Sequence, residues 1–212
     1  SANGLGQSLS DINDCITALK KEEKLSDYDF SVMGHSWGGF STLNIASFHP
    51  DISHIVVLSG FVSVEAMFSQ FLPSFLKIFA KPILSVERKY NPESLKCNGA
   101  ETLSGTKARV LLIYSDNDPA VKKEVHFNAL QKALSGRENV KIMLLKNKGH
   151  NPNYTADAVS YFDEYLSTLS KKNKNKELQS DEAKKEFVAL FDWDRMTAQD
   201  EAVWEEIFKA LD

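Results

Sequence analysis

Cysteine is nearly absent from this chain: Cys15 and Cys97 are the only two in 212 residues. They form no C-x-x-C pair and show no metal-ligand spacing, so neither a disulfide framework nor a zinc site is expected, and no cofactor is implied. Long apolar runs are missing too. No stretch approaches the ~18 residues of a membrane span, and no signal-peptide pattern opens the chain, so the expectation is a cytoplasmic protein without a membrane span. Basic charge is not in excess. A formal net charge of −4 gives no electrostatic ground for a nucleic-acid partner, and the run Lys171-Lys172-Asn173-Lys174-Asn175-Lys176 reads as a solvated linker. No internal repeat is visible. What remains, 25% charged and 42% hydrophobic residues, is the composition of a globular chain large enough for one main core.

Against that background one segment stands out. Gly34-His35-Ser36-Trp37-Gly38-Gly39 places a serine between glycines, directly after the alternating run Tyr28 to Met33 and directly before an apolar helical pattern from Phe40 to Phe48. This strand-turn-helix context is that of a nucleophile elbow. A sharp turn puts the serine in strained backbone angles, so Gly34 and Gly38 are expected to leave room for the chain. The Ser36 hydroxyl is then exposed, and the Trp37 N–H at the helix start can donate to an oxyanion.

A serine hydroxyl needs a base, usually histidine, itself oriented by a carboxylate. The buried-strand run Arg109 to Tyr114 ends in Ser115-Asp116-Asn117-Asp118-Pro119, and the run Val140 to Leu145 ends in Lys146-Asn147-Lys148-Gly149-His150. Serine, aspartate and histidine therefore each stand just past a strand, where a parallel sheet gathers its site residues. The residues alone leave Asp116 and Asp118 both open as the acid. His35 is expected to pack beside the elbow, His49 to sit at a helix end, and His54 and His126 to lie on the surface. Cys15 is placed on the apolar face of a helix over Gln7 to Lys21, with Ser8 and Asp11 spaced as a capping box.

From about Gln7 to Ser170 the chain resembles the α/β-hydrolase fold, on its elbow, its Leu111 to Val121 strand and loop, and its Lys148-Gly149-His150-Asn151-Pro152 loop. The resemblance implies a parallel sheet, here of about four strands (Tyr28 to Met33, Ile52 to Ser59, Arg109 to Tyr114, Val140 to Leu145), with helices on both faces. It places the acid three residues after a small residue, which selects Asp118 counted from Ser115, although that residue is usually glycine. It implies a serine hydrolase with Ser36 as nucleophile, His150 as base, Asp118 as acid and Trp37 N–H in the oxyanion hole. The expected substrate is a small molecule with a carboxylic ester or related acyl bond. Thioesterase or peptidase activity, or a non-catalytic binding domain, are the alternatives.

The segment of about 60–105 is expected to be a helical lid, with Phe68, Phe71 and Phe75 lining an apolar acyl pocket. The helix Thr155 to Leu169 is expected to pack on the sheet. Residues 171–180 read as a polar linker after a 1–170 core, and 181–212 as a helical appendage. The fold family has further strands before the nucleophile strand, so the expectation is that an N-terminal segment, or a second copy of the chain, covers an open sheet edge there.

Overall fold

The computed structural model describes residues 4–25, 27–73, 82 and 84–212. Its centre is a four-stranded parallel sheet in the order β1-β2-β3-β4, with β1 at Ser31–His35, β2 at His54–Leu58, β3 at Arg109–Ser115 and β4 at Val140–Leu145. Strand alternation divides the sheet residues between two faces. Ile55, Val57, Val110, Leu112 and Tyr114 enter the main core, whereas Val56, Leu58, Leu111 and Ile113 enter a second, smaller one. Both faces of β2 and β3 are thus buried, which is why their sequences are continuously apolar.

The main core is closed by α1 (Gln7–Leu19), α2 (Trp37–Asn44), α3 (Val64–Ser69), α5 (Gly99–Gly105) and α6 (Phe127–Ala133), through residues such as Leu9, Ile16, Phe40, Leu43, Val64, Leu103 and Leu130; α4 (Ser85–Tyr90) lies in the same stretch as α3 and α5. Phe40 stacks on Phe61 with ring centroids 4.8 Å apart. The expected lid segment is therefore core at both ends, with Phe61, Val62, Val64, Ala100 and Leu103 buried. Phe75 lies outside the described residues.

In α1 the buried stripe runs through Leu9 and Ile16, with Ile12 packed beside it. Cys15 is exposed, contrary to its expected place, because it lies about 100° around the helix from Ile16. The capping box is not formed either: α1 follows Gly6 without a side-chain cap, and Ser8 Oγ donates instead to the Leu5 carbonyl at 3.0 Å.

The C-terminal part departs most from expectation. α7 (Ala156–Lys174) runs into the segment read as a linker. Its aromatic side does not cover the sheet: Tyr165 packs against Phe187, Phe191 and Trp193, which belong to α8 (Asp181–Val188), α9 (Trp193–Met196) and the turn between them. The second face of the sheet is covered by α10 (Glu201–Leu211), whose Val203 and Ile207 are buried against Val56, Leu58, Leu111 and Ile113. Among the described residues, no helix is long and apolar enough to cross a membrane.

Candidate active site

Parallel register aligns the C-terminal ends of the strands: His35 is level with Leu58, Leu58 with Ile113, and Ile113 with Met143. The ladder then extends one residue beyond two of them. Ser36 N–H donates to the Leu58 carbonyl at 2.9 Å and Asp116 N–H to the Leu145 carbonyl at 2.9 Å. These bonds bring the elbow, the acid loop and the histidine loop to one sheet edge.

Ser36 adopts φ 56° and ψ −113°, and α2 starts at the next residue. The turn is tight at Gly34, where an added Cβ would lie 2.4 Å from the Gly38 carbonyl oxygen and from Thr42 Oγ1. The second close approach is at Gly39, 2.7 Å from Gly60 Cα, whereas the space at Gly38 is open. The expected crowding at Gly38 thus falls one residue later, because Gly39 is the residue that faces the end of β2. Trp37 occupies the first helical position, where a backbone N–H has no intrahelical acceptor. Its indole N–H donates to the Leu5 carbonyl at 2.7 Å.

Ser36, His150 and Asp118 are joined in one hydrogen-bonded line. Ser36 O–H donates to His150 Nε2 at 2.8 Å, and His150 Nδ1–H donates to the Asp118 carboxylate at 2.9 and 3.0 Å. The Asp118 side chain is buried. Burial by itself raises its pKa, but the hydrogen bond from His150 and those from the Val121 and Ala120 N–H groups outweigh it, so the carboxyl is held below its usual range. Asp118 is consequently an anion that accepts from an imidazole N–H, which fixes the tautomer leaving Nε2 free to take a proton.

Asp116 is occupied differently. Its Oδ1 accepts from Asn147 N–H at 2.9 Å, Ser115 Oγ accepts from Lys148 N–H at 3.0 Å, and Asn117 Oδ1 accepts from Gly149 N–H at 2.9 Å. Four consecutive side chains, Ser115 to Asp118, thus hold four consecutive residues, Asn147 to His150. Ser115 also donates to Asn117 Oδ1 at 2.8 Å, a role that glycine could not fill. The backbone of the held loop turns through positive φ at Asn147 and Gly149. The sequence offers Asp116 only as a candidate acid, and the one signal of this clasp in it is the unbroken run of short polar side chains from Ser115 to Asp118.

His35 was also placed only in outline. Its Nε2–H donates to the His150 carbonyl at 2.7 Å and its ring lies 4.8 Å from the His150 ring. His126, expected at the surface, is fully buried: α6 begins one residue later, and the chain before it turns inward so that Val62 N–H donates to His126 Nδ1 at 3.3 Å, beside the Phe61 ring. Burial lowers its pKa to about 4 despite the nearby Asp118 charge. His49 is likewise mostly buried, while His54 is partly exposed and shares a 2.9 Å hydrogen bond with Ser31. Phe68 packs against the main core and Phe71 is 54% exposed, with Lys122 Nζ 5.1 Å from its ring centroid.

A strained serine between a strand and a helix, bonded to a histidine that is bonded to a buried carboxylate, is an arrangement for acyl transfer. Residues 4–173 match the model of the prolyl oligopeptidase family. The chain belongs to that family. This member has the α/β-hydrolase fold, and its fold is similar to that of a puromycin hydrolase, at 16% identity and a TM-score of 0.51, over 68% of this chain and 22% of the other. A puromycin-hydrolyzing peptidase of Mycobacterium tuberculosis is similar at 19% identity and a TM-score of 0.49, over 65% of this chain and 21% of the other. A monoacylglycerol lipase of Paleococcus ferrophilus is similar at 18% identity and a TM-score of 0.48, over 76% of this chain and 75% of the other. This prolyl oligopeptidase family chain spans about a fifth of the length of the puromycin hydrolase and of the puromycin-hydrolyzing peptidase. No curated protein matches it.

Proposed function

We propose that this chain carries the hydrolytic centre of a serine hydrolase that cleaves a carboxylic ester or related acyl bond. The observation that carries the reading is the unbroken line Asp118–His150–Ser36, with each hydrogen bond between 2.8 and 3.0 Å. His150 Nε2 takes the hydroxyl proton as Ser36 Oγ bonds to the acyl carbon, and the carbonyl π pair moves onto oxygen. Trp37 N–H donates to that oxyanion. Collapse breaks the bond to the leaving group, which receives the proton from His150, and leaves an acyl ester on Ser36. Water, deprotonated by His150, repeats the sequence and releases the acid. Asp118 remains ionised and stabilises the imidazolium that forms in each half-reaction.

The family favours a second reading within the same chemistry, in which the acyl bond is a peptide bond. The leaving amine then needs the His150 proton even more than an alcohol does. An apolar acyl group is the substrate class favoured by the aromatic side chains of the segment after β2, Phe68 and Phe71 among them. At the outer side of β1, which has β2 as its neighbour among the described residues, an added strand from elsewhere in the protein or from a second copy would extend the sheet next to Ser36.

The direct test is labelling with a fluorophosphonate probe, which reports an activated serine whatever the substrate. Labelling of the native chain that is lost in Ser36→Ala and in His150→Ala, with melting temperatures retained, is the expected result. Undiminished ester turnover by Ser36→Ala would overturn the assignment.

A further inference from the structure

The histidine loop is gripped from a second direction, by the C-terminal tail. Lys148, two residues before His150, is only 9% exposed. Its Nζ donates to the Tyr154 carbonyl at 2.6 Å and to Asp200 Oδ2 at 2.5 Å. Asp200 lies beyond the residues that match the family model. With its other oxygen it caps α10, accepting from Ala202 N–H at 3.1 Å.

The backbone around this pair is joined as well. Tyr154 and Gln199 form an antiparallel bridge, Thr155 N–H donates to the Ala198 carbonyl at 2.9 Å, and Asp200 N–H donates to the Asn153 carbonyl at 2.8 Å. Three residues after Asp200, Val203 enters the core on the second face of the sheet. One short stretch of tail therefore touches both the return of the histidine loop and the strands beneath the site. Asp157 and Arg195 also join α7 to the tail, but both side chains are at least half exposed, and such pairs contribute little. The Lys148–Asp200 pair is more enclosed, with side chains 11% and 27% exposed, and losing its carboxylate would leave the loop tied to the tail without this ion pair.

We propose that the 181–212 tail is a strap that positions His150, with Lys148 and Asp200 as its positioning residues. Ser115 holds the Lys148 backbone N–H from the sheet side, and Asp200 holds the Lys148 side chain from the tail side. Between them the backbone two residues before the imidazole is fixed, and Nε2 stays within reach of Ser36 Oγ. The proposal rests on the reading of Ser36, His150 and Asp118 as the catalytic set, and it adds a requirement that the family-matching residues do not contain.

The test uses the full chain with Asp200→Asn, Lys148→Met and the double variant. Asn still caps Ala202 N–H, so Asp200→Asn removes the charge and leaves α10 its start. On p-nitrophenyl butyrate, Asp200→Asn is expected to lower kcat about tenfold with KM changed by less than about twofold, since small misplacements of a catalytic group act on turnover. The double variant is expected to be no worse than the poorer single one, because both remove the same pair. Proton NMR supplies a readout independent of turnover: the downfield resonance of His150 Nδ1–H, bonded to Asp118, is expected to move or broaden in Asp200→Asn while the fold still melts cooperatively.

An unchanged kcat together with an unmoved resonance in Asp200→Asn would overturn the strap while leaving the catalytic reading intact, provided the native chain labels with fluorophosphonate. A native chain that does not label, but whose His150 resonance moves in Asp200→Asn, would remove the catalytic reading and keep the positioning. A loss of kcat that follows only the unfolded fraction would reduce the pair to a stability element and overturn the proposal.

Discussion

His35 Nε2–H donates to the carbonyl oxygen of His150 at 2.7 Å, so the residue before Ser36 holds the backbone of the histidine whose ring is bonded to Ser36. The bond ties the end of β1 to the loop after β4, at opposite edges of the described sheet. Partial enclosure, and the charge that His150 would carry, lower the His35 pKa against the raising effect of the carbonyl bond. The donor function survives this, because a neutral imidazole still has one N–H.

Replacing His35 by Ala removes one neutral hydrogen bond, whose worth of about 0.5–1.5 kcal/mol corresponds to roughly a two- to tenfold loss if it is spent on His150 placement. The expected result is a kcat reduced by that factor, with recovery in His35→Gln, whose amide can still donate. Equal activity of the Ala variant and the native chain would show that the clasp from Ser115 to Asp118 suffices.

Asp118 and Asp116 are separated by their partners, His150 and the Asn147 N–H, although not by sequence distance. Asp118→Asn is expected to lower turnover by about 10⁴, since the amide no longer holds the reactive histidine tautomer. Asp116→Asn retains an oxygen for Asn147 N–H and should stay near native activity. Steady-state kinetics on one ester decide the matter, and the reverse order would reassign the acid.

Acid should unfold this protein partly through His126. Its pKa falls from 6.5 to about 4 on folding, so between those values the unfolded chain binds more protons than the native one. Stability contributed by neutral His126 is therefore full above about pH 6.5 and is lost as pH falls toward 4, up to about 3 kcal/mol. Asp118, lowered rather than raised, adds a further loss at still lower pH, as its carboxylate becomes protonated. Urea titrations should show a flatter dependence between pH 6.5 and 4 in His126→Asn, where the amide oxygen can take the Val62 N–H. An unaltered slope would place the acid sensitivity elsewhere.

Phe68 and Phe71 should respond differently to truncation. Phe71→Ala is expected to change the relative kcat/KM for short and long acyl esters without changing the melting temperature, because its ring is largely outside the core. Phe68→Ala should also lose stability, about 1–2 kcal/mol for a half-buried ring. Parallel loss for every chain length in both variants would remove them from the acyl site.

Local patterns carried the sheet and the elbow, since strand alternation, the apolar run of β3 and the glycines around Ser36 act through neighbours in sequence. The same locality explains why Ser36, His150 and two candidate acids could be named, and why the choice between the acids had to come from the resemblance. Asp116 and Asp118 have similar local surroundings, and which of them faces His150 depends on the geometry of a loop 32 residues further on. His126 read as a surface residue because its neighbours are charged, yet its burial is set by Phe61 and Val62, far away in the chain. Lys148 and Asp200 gave no signal at all. A lysine in a loop and an aspartate before a helix are commonplace, and only their approach across 52 residues turns two solvated charges into one partly buried pair. The spacing of Val203, Ile207 and Leu211 makes the last helix amphipathic; the second face of β2 and β3 determined where it went, because burial is a property of the surface met and not of the helix alone.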